Sequence, residues 1–322
     1  MDDVRVIRID RGDVGQRLDL VLQRHLHDVT AASRTRIQKW IESGLVTVNE
    51  TPATRPSRRT THGDLVSITL PAGARRAVMA AEELPLSVIF EDEHLLAINK
   101  PAGMVVHPTY RHPHGTLMNA LLWHARDWPA GSRPSLVGRL DRFTSGVLIV
   151  AKSRATHAAL QRALGSARSS KHYLAVVYGR VNAARGTLDA RLSRSRRERR
   201  TVISDAASAS PSQTVFERLH RVRAPRVGLA LLCCRLLTGR THQIRVHLAA
   251  RGWPIVGDSK YGKPLWAEIQ DRSLSAALQA FPRQALHSWR VSFEHPIAHT
   301  TVVCEATPPE DFQRLLIDAN LR

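Results

Sequence analysis

Residues 86–101, LSVIFEDEHLLAINKP, hold two short apolar segments, SVIFE and LLAIN, separated by the polar residues Asp92 and Glu93. Short apolar runs rich in β-branched and aromatic residues, joined through polar turn residues, are the signature of a β-hairpin. The chain beyond it alternates irregularly. A helix pattern at 116–125 is followed by the strand VLIVAK, a helix pattern at 154–164, the strand YLAVVYG, and later strands around TVFERL and LALLCCRLL. Strands and helices therefore mix without a repeating βαβ unit. That order predicts an α+β domain with a mixed, largely antiparallel sheet flanked by helices, not a doubly wound parallel sheet.

Upstream of the hairpin the pattern changes. In residues 15–28, GQRLDLVLQRHLHD, Leu18, Val21, Leu22 and Leu26 share one helical face. In SRTRIQKWIESG, Ser33 is placed to cap a second helix, Ile37, Trp40 and Ile41 form its apolar side, and Gly44 stops it. Arg34, Arg36 and Lys39 then project outward, where they suit contact with phosphates. LVTVN and GDLVSITLP follow with period-two patterning, so two basic helices precede a small sheet. The segment 71–83, PAGARRAVMAAEE, has no sustained apolar period and reads as a linker. The expected domains are thus 1–70 and 84–322, joined through 71–83.

Composition bounds the function. The 322 residues carry 47 Lys and Arg against 28 Asp and Glu, a formal charge of +19, which implies a polyanionic partner. Nucleic acid fits better than membrane, because no strongly amphipathic basic helix and no long apolar span is present. The N-terminal MDDVRVIRID is too polar for a signal peptide, so a cytoplasmic protein is expected. The three cysteines, Cys233, Cys234 and Cys304, have no metal-binding spacing, and the first two sit in the apolar run GLALLCCRLL, where packing is the simplest role. Six arginines fall between 191 and 200, placed either for solvation or for phosphate contact.

Four segments are dense in reactive side chains. In 138–153, GRLDRFTSGVLIVAKS, Asp141 lies between Arg139 and Arg142 just before a buried strand. A carboxylate among guanidinium groups suits a nucleophile or base, although a surface ion pair or turn cap would look the same. Residues 236–262, LLTGRTHQIRVHLAARGWPIVGDSKYG, turn at Gly239 and resume as a helix with Thr241 as its expected cap; Arg240, His242, Gln243, Arg245 and His247 could face a phosphate, a base edge or Asp141. His242 and His247 are five apart and read as surface histidines, not ligands. SSKHYLAVVYG places Tyr173 and Tyr178 in a strand, as core or as stacking rings. INKPAGMVVHP puts Lys100, Pro101, His107 and Pro108 in a turn-rich loop able to border a pocket. No dinucleotide, nucleotide-triphosphate or serine-hydrolase motif occurs, and Ser145 lacks the elbow pattern.

In the order INKPAGMVVHP, GRLDRFTSG, KHYLAVVYG, TGRTHQIRVHL, GDSKYG and LHSWRVSFEHP, the chain resembles the RNA pseudouridine synthases of the RluA family over roughly residues 84–305. RLDLVL, SRTRIQKWIESGLVTVN and GDLVSI resemble an S4 RNA-binding domain, and the combination resembles the branch that modifies large-subunit ribosomal RNA. The resemblance implies a sheet built around an RNA cleft. It implies Asp141 as the essential aspartate, Tyr173 as the tyrosine beneath the target base and Arg245 as the basic partner of the aspartate. It further implies RNA contacts from Arg34, Arg36, Lys39, Arg139, Arg240 and His242. The resemblance implies an RNA partner, ribosomal or another structured RNA such as tRNA, and calls for no metal, membrane or nucleotide cofactor. The chain departs from the family in having Gly138 where members commonly have His before Arg-Leu-Asp. The competing readings are a non-catalytic S4-type RNA-binding protein and an RNA methyltransferase; the latter lacks its glycine-rich cofactor loop.

Overall fold

The leucine spacing near the N-terminus produces helix α1 (Leu18–His25), and Ser33 caps helix α2 (Arg34–Glu42) by accepting the Arg36 backbone N–H at 3.3 Å. Gly44 follows α2 with φ +79°. Leu18, Leu22, Leu26, Ile37 and Ile41 are fully buried against the sheet β1 (Asp3–Arg8), β2 (Val46–Val48), β3 (Thr51–Pro52) and β4 (Leu65–Leu70), ordered β1-β4-β2-β3. This computed structural model describes all residues except 1–2, 11–12, 27–28, 30–31, 72–78, 109–111, 196–197, 199 and 224–225. The chain divides into two units, Met1–Ala80 with Thr109–Pro113 and Ala81–Pro108 with His114–Arg322. Most of the expected linker lies outside the described residues. Its last part belongs to the larger unit, where the Glu82 carboxylate accepts the Gly115 N–H at 2.9 Å and contacts His114 Nδ1 at 2.8 Å.

Between α1 and α2 lies a buried carboxylate. Asp19 accepts a two-pronged bond from Arg17 at 3.0 and 3.1 Å, one from Arg34 at 3.1 Å and one from Gln38 at 2.7 Å. Burial opposes its charge, yet these donors hold its pKa down at about 2. Arg34 is therefore exposed but committed to an internal partner, whereas Arg36 and Lys39 stand outward as expected.

The larger unit is α+β. Its sheet contains β5 (Val88–Glu91), β6 (Leu95–Lys100), β7 (Ser135–Val137), β8 (Ser145–Ala151), β9 (Ser170–Tyr178), β10 (Arg185–Arg194), β11 (Thr201–Ile203), β12 (Ser210–Val222), β13 (Leu229–Leu236), β14 (Leu286–Glu294) and β15 (Thr301–Glu305). The order is β11-β10-β12-β13-β9-β14-β8-β6-β5, with β15 beside β14 and β7 beside β8. Among the described residues only the β14–β8 pairing is parallel. The hairpin read at 86–101 is the β5–β6 edge. Helices α3 (Leu117–His124), α4 (Arg154–Gly165), α5 (Gln243–Ala250), α6 (Arg272–Ala280) and α7 (Glu310–Asp318) flank it. All three cysteines are buried free thiols, with burial pushing Cys233 and Cys304 up to about 11, as packing residues require. Among the described residues no helix is long and apolar enough to cross a membrane.

At the centre, Gly146 of β8 pairs with Ser288 of β14, and Ser288 pairs with Tyr173 of β9. Gly146 has φ +111°, and a Cβ there would lie 2.1 Å from the Ser288 carbonyl oxygen. Only glycine lets β8 approach β14 this closely.

Asp19→Asn should lower the local stability of α1 and α2 by on the order of 2 kcal/mol at neutral pH, because three donors lose a charged acceptor. Hydrogen exchange of the α2 amides in the full chain measures this. Since the folded pKa is depressed from 3.8 to about 2, the stabilisation is complete above 3.8 and fades as pH falls towards 2. The two proteins should therefore converge in acid.

Candidate active site

Residues from three distant parts of the larger unit meet at one end of the central strands. Asp141 lies in the loop before β8, closing a turn in which the Thr144 N–H donates to the Asp141 carbonyl at 3.0 Å. Arg245 points from the first turn of α5, and Tyr173 from β9. A cavity of about 220 Å³ opens on Asp141, Tyr173, Arg139, Arg240, His242 and Arg245. Arg34, Arg36 and Lys39 belong to the other unit.

Arg245 is the hub. Its Nη1 donates to Asp141 Oδ2 at 2.8 Å, while Nε and Nη2 grip both oxygens of Asp258 at 2.7 and 2.8 Å. The side chains of Arg245 and Asp258 are 7% and 1% exposed, against 18% for Asp141. Burial opposes the guanidinium charge, but Asp258 first and Asp141 second outweigh it and raise the arginine pKa. Asp258 also accepts the backbone N–H groups of Lys260 and Tyr261 at 2.9 and 3.1 Å, which fixes its orientation. The guanidinium meant for Asp141 is thus not one of its chain neighbours. Arg142 donates instead to the Gly103 carbonyl at 3.0 Å, and among the described residues Arg139 makes no ion pair with Asp141.

His242 completes the surround. It is half-buried, not a surface histidine, with Nε2 3.5 Å from Asp141 Oδ1 and Nδ1 2.7 Å from the Tyr261 hydroxyl. The Tyr261 oxygen also accepts the Thr201 N–H at 3.2 Å, which ties the His242 ring to the strand that carries Thr201. Burial lowers the His242 pKa, with Asp141 opposing. The backbone here overturns the expected cap: the residue before α5 is His242 in the left-handed region at φ +58°, not Thr241. Gln243 holds the turn instead. Its Oε1 accepts from Thr238 Oγ1 at 2.8 Å and from the Arg240 N–H at 3.0 Å, and its Nε2 donates to Gln213 O and Thr214 Oγ1. His247 is likewise not on the surface; it is 2% exposed between Ser212 and Thr214 at 2.9 and 3.0 Å.

Tyr173 is pushed up to about 12, mainly by burial, with a hydrogen bond to Ser288 pulling down and Asp141 pushing up. It presents a neutral phenol. The fully buried Lys100 donates to the carbonyls of Pro101, Met104 and Arg142 at 2.7, 3.2 and 3.0 Å, stapling the loop after β6 to the Asp141 loop. Ser145 contacts His287 Nδ1 at 2.9 Å in the interior, so it is a packing serine. Among the described residues no group of three potential metal ligands occurs. Sequence reasoning missed Asp258 and Tyr261 as site residues, although GDSKYG signalled their segment, and it placed Lys100 beside a pocket without its role as a staple.

Gly138 borders the cavity at φ +96° with open space around a built Cβ. Room exists for a side chain, but the backbone disfavours one. Gly138→His should therefore cost roughly 1–2 kcal/mol of stability, and Gly138→Asn less, as thermal unfolding would show.

Residues 94–250 match the family described as RNA pseudouridylate synthase, and residues 16–66 match the S4 domain. The ribosomal large subunit pseudouridine synthase D of Nitrosomonas europaea is 38% identical over 302 residues, covering 94% of this chain and 84% of its own. The protein of the same name from Xanthomonas campestris is 39% identical, with 94% and 88% covered. The human RNA pseudouridylate synthase domain containing 4 superposes with a TM-score of 0.57 at 22% identity, over 73% of this chain and 94% of its own, a likeness of fold.

Proposed function

The chain belongs to the RNA pseudouridylate synthase family, with an S4 domain at its N-terminus, and from that premise we propose that it isomerises uridines of large-subunit ribosomal RNA with Asp141 as the reagent. The observation that carries the assignment is the pairing of Asp141 with Arg245 at 2.8 Å beside Tyr173 in one cavity. Uridine and pseudouridine are isomers. The C1′–N1 bond breaks, a C1′–C5 bond forms, and a hydrogen leaves C5 while N1 gains one, so no electron donor or co-reactant is needed.

Arg245 occupies Oδ2 of Asp141, whereas Oδ1 has only the looser contact with His242. Oδ1 is then the oxygen with a lone pair to offer, whether to C1′, to C6 of the ring or to the C2′ proton. A base inside the duplex or a folded loop cannot reach this carboxylate, so the nucleotide is turned out into the cavity, and the Tyr173 ring stacks on it. Because its phenol is neutral, Tyr173 can receive the C5 proton only while surrendering its own, a loss balanced by the proton that N1 gains. Arg139 and Arg240, exposed at the cavity mouth, are placed for flanking phosphates; His242 serves Asp141 at least as directly as it serves RNA.

In the N-terminal unit the phosphate contacts fall to Arg36 and Lys39, with Arg34 held by Asp19. A ribosomal RNA substrate places the working enzyme in the cytoplasm.

Mapping pseudouridine in ribosomal RNA from cells with and without the protein identifies the target uridine. Cells carrying Asp141→Asn should lack the same modification, and its persistence there would refute the reagent assignment. Tyr173→Phe should bind RNA normally yet convert it at least about 100-fold more slowly, because the ring survives and the hydroxyl that exchanges the C5 proton does not. Arg36→Glu with Lys39→Glu should weaken RNA binding and flatten its salt dependence without unfolding the unit. Arg34→Glu is the poorer test, since it sets a carboxylate against Asp19.

A further inference from the structure

Strand β12 is paired with β13 in a register that breaks once, between Arg218 and His220. Arg218 lies opposite Leu232, and after the bulge at Leu219 Arg221 lies opposite Ala230. Leu232 and Ala230 are two apart and share a face, so Arg218 and Arg221 share one as well. In a regular strand, side chains three residues apart point to opposite faces. The bulge therefore gathers two guanidinium groups that an unbroken strand would separate. Arg223 follows close by, and Arg218 and Arg223 together lower the Arg221 pKa through like-charge repulsion.

The surroundings do not neutralise this crowding. Arg180, Asn182, Arg221, Arg223 and Gly228 line a groove with no carboxylate among the described lining residues. Arg218 donates to the carbonyls of Val181, Asn182 and Ala183, which fixes the floor of the groove but brings no negative charge. Arg221 and Arg223 are exposed, and among the described residues neither has an ion-pair partner. The groove sits at the end of β9 and β13 opposite the catalytic cavity, beginning at Gly179, six residues beyond Tyr173 and just past β9. At about 3.3 Å per residue this is roughly 20 Å.

We propose that this arginine groove is a second RNA-binding site, where Arg221 and Arg223 hold backbone phosphates of the substrate away from the target nucleotide. The proposal takes its ligand class from the RNA-modifying reading above. A bulge that concentrates like charge is costly in the free protein and becomes favourable once an anionic backbone lies across it. Guanidinium groups suit phosphate because their planar donors can engage two oxygens at once.

The test compares wild type, Arg221→Glu with Arg223→Glu, and the charge-retaining Arg221→Lys with Arg223→Lys. Fluorescence anisotropy with a 24-base-pair RNA duplex gives the salt dependence of binding, and an unmodified transcript of large-subunit ribosomal RNA gives kcat and KM. The Glu variant should lose between one and two units of the log–log salt slope, one for each phosphate contact broken. Its KM should rise about tenfold with kcat within about twofold of wild type, and the Lys variant should restore most of both. Thermal unfolding guards against a fold defect, with Arg221→Gln and Arg223→Gln as the milder replacement. An unchanged slope and KM would overturn the proposal and leave the patch as solvated charge or a protein-docking face. A fall in kcat alone would also overturn it. If wild type leaves the transcript unmodified, the functional reading fails, while the duplex binding still decides for or against the groove.

Discussion

One guanidinium shared between two carboxylates sets the terms for the larger unit. Arg245 is nearly sealed from solvent and touches Asp141 with one nitrogen and Asp258 with two. An arginine in such a place is tolerable only if its donors are occupied, and removing one partner of a buried pair typically costs about 3–5 kcal/mol. The division of labour follows from the counts of bonds. Asp258 has both oxygens and two backbone donors engaged, so it is an anchor, while Asp141 keeps one oxygen nearly free. The arrangement holds the reactive carboxylate in place without saturating it, which is what a reagent in a dry pocket needs.

Holding Asp141 from the other side has a cost that the protein carries in its interior. Lys100 is fully buried and donates to three carbonyl oxygens, and its pKa falls from 10.5 to about 8, chiefly through burial, with Arg283 adding and Asp141 opposing. Between those two pH values the unfolded chain binds the proton and the folded chain does not, so this group's contribution to stability improves as pH rises from about 8 towards 10.5. At neutral pH the lysine therefore weakens the fold. The return is mechanical, because one ammonium ties the loop after β6 to the carbonyl of the residue following Asp141.

Much of this was legible in sequence, and the pattern of what was not is physical. The apolar spacing of α1, the Ser33 cap, the β5–β6 hairpin and the mixed order of elements are local features, and local features leave periodic traces. Pairings between distant segments leave none. Arg139 and Arg142 flank Asp141 in the chain, but a short loop points them elsewhere, and the partner arrives from over 100 residues away on α5. Thr241 has the right chemistry for a cap, yet the turn is closed by Gln243, whose amide meets donors and acceptors from β12 that no local window contains. His247 carries no local mark of its buried role, because its hydroxyl partners lie on a strand more than 30 residues away. Asp258 was passed over for the same reason.

The formal charge of +19 is likewise not a uniform coat. Arg17 and Arg34 are tied to Asp19, Arg245 to two aspartates, Arg283 to Asp311 at 2.6 Å, and Arg218 to three carbonyls. These arginines build the protein, and their positive ends are already matched. The groups left over, such as Arg36, Lys39, Arg221 and Arg223, stand exposed on the two units, without ion-pair partners among the described residues. Counterion release on binding a polyanion counts new phosphate contacts, not total charge. The affinity of this basic chain for RNA therefore rests on the cations still able to meet phosphates, not on its formal charge as a whole.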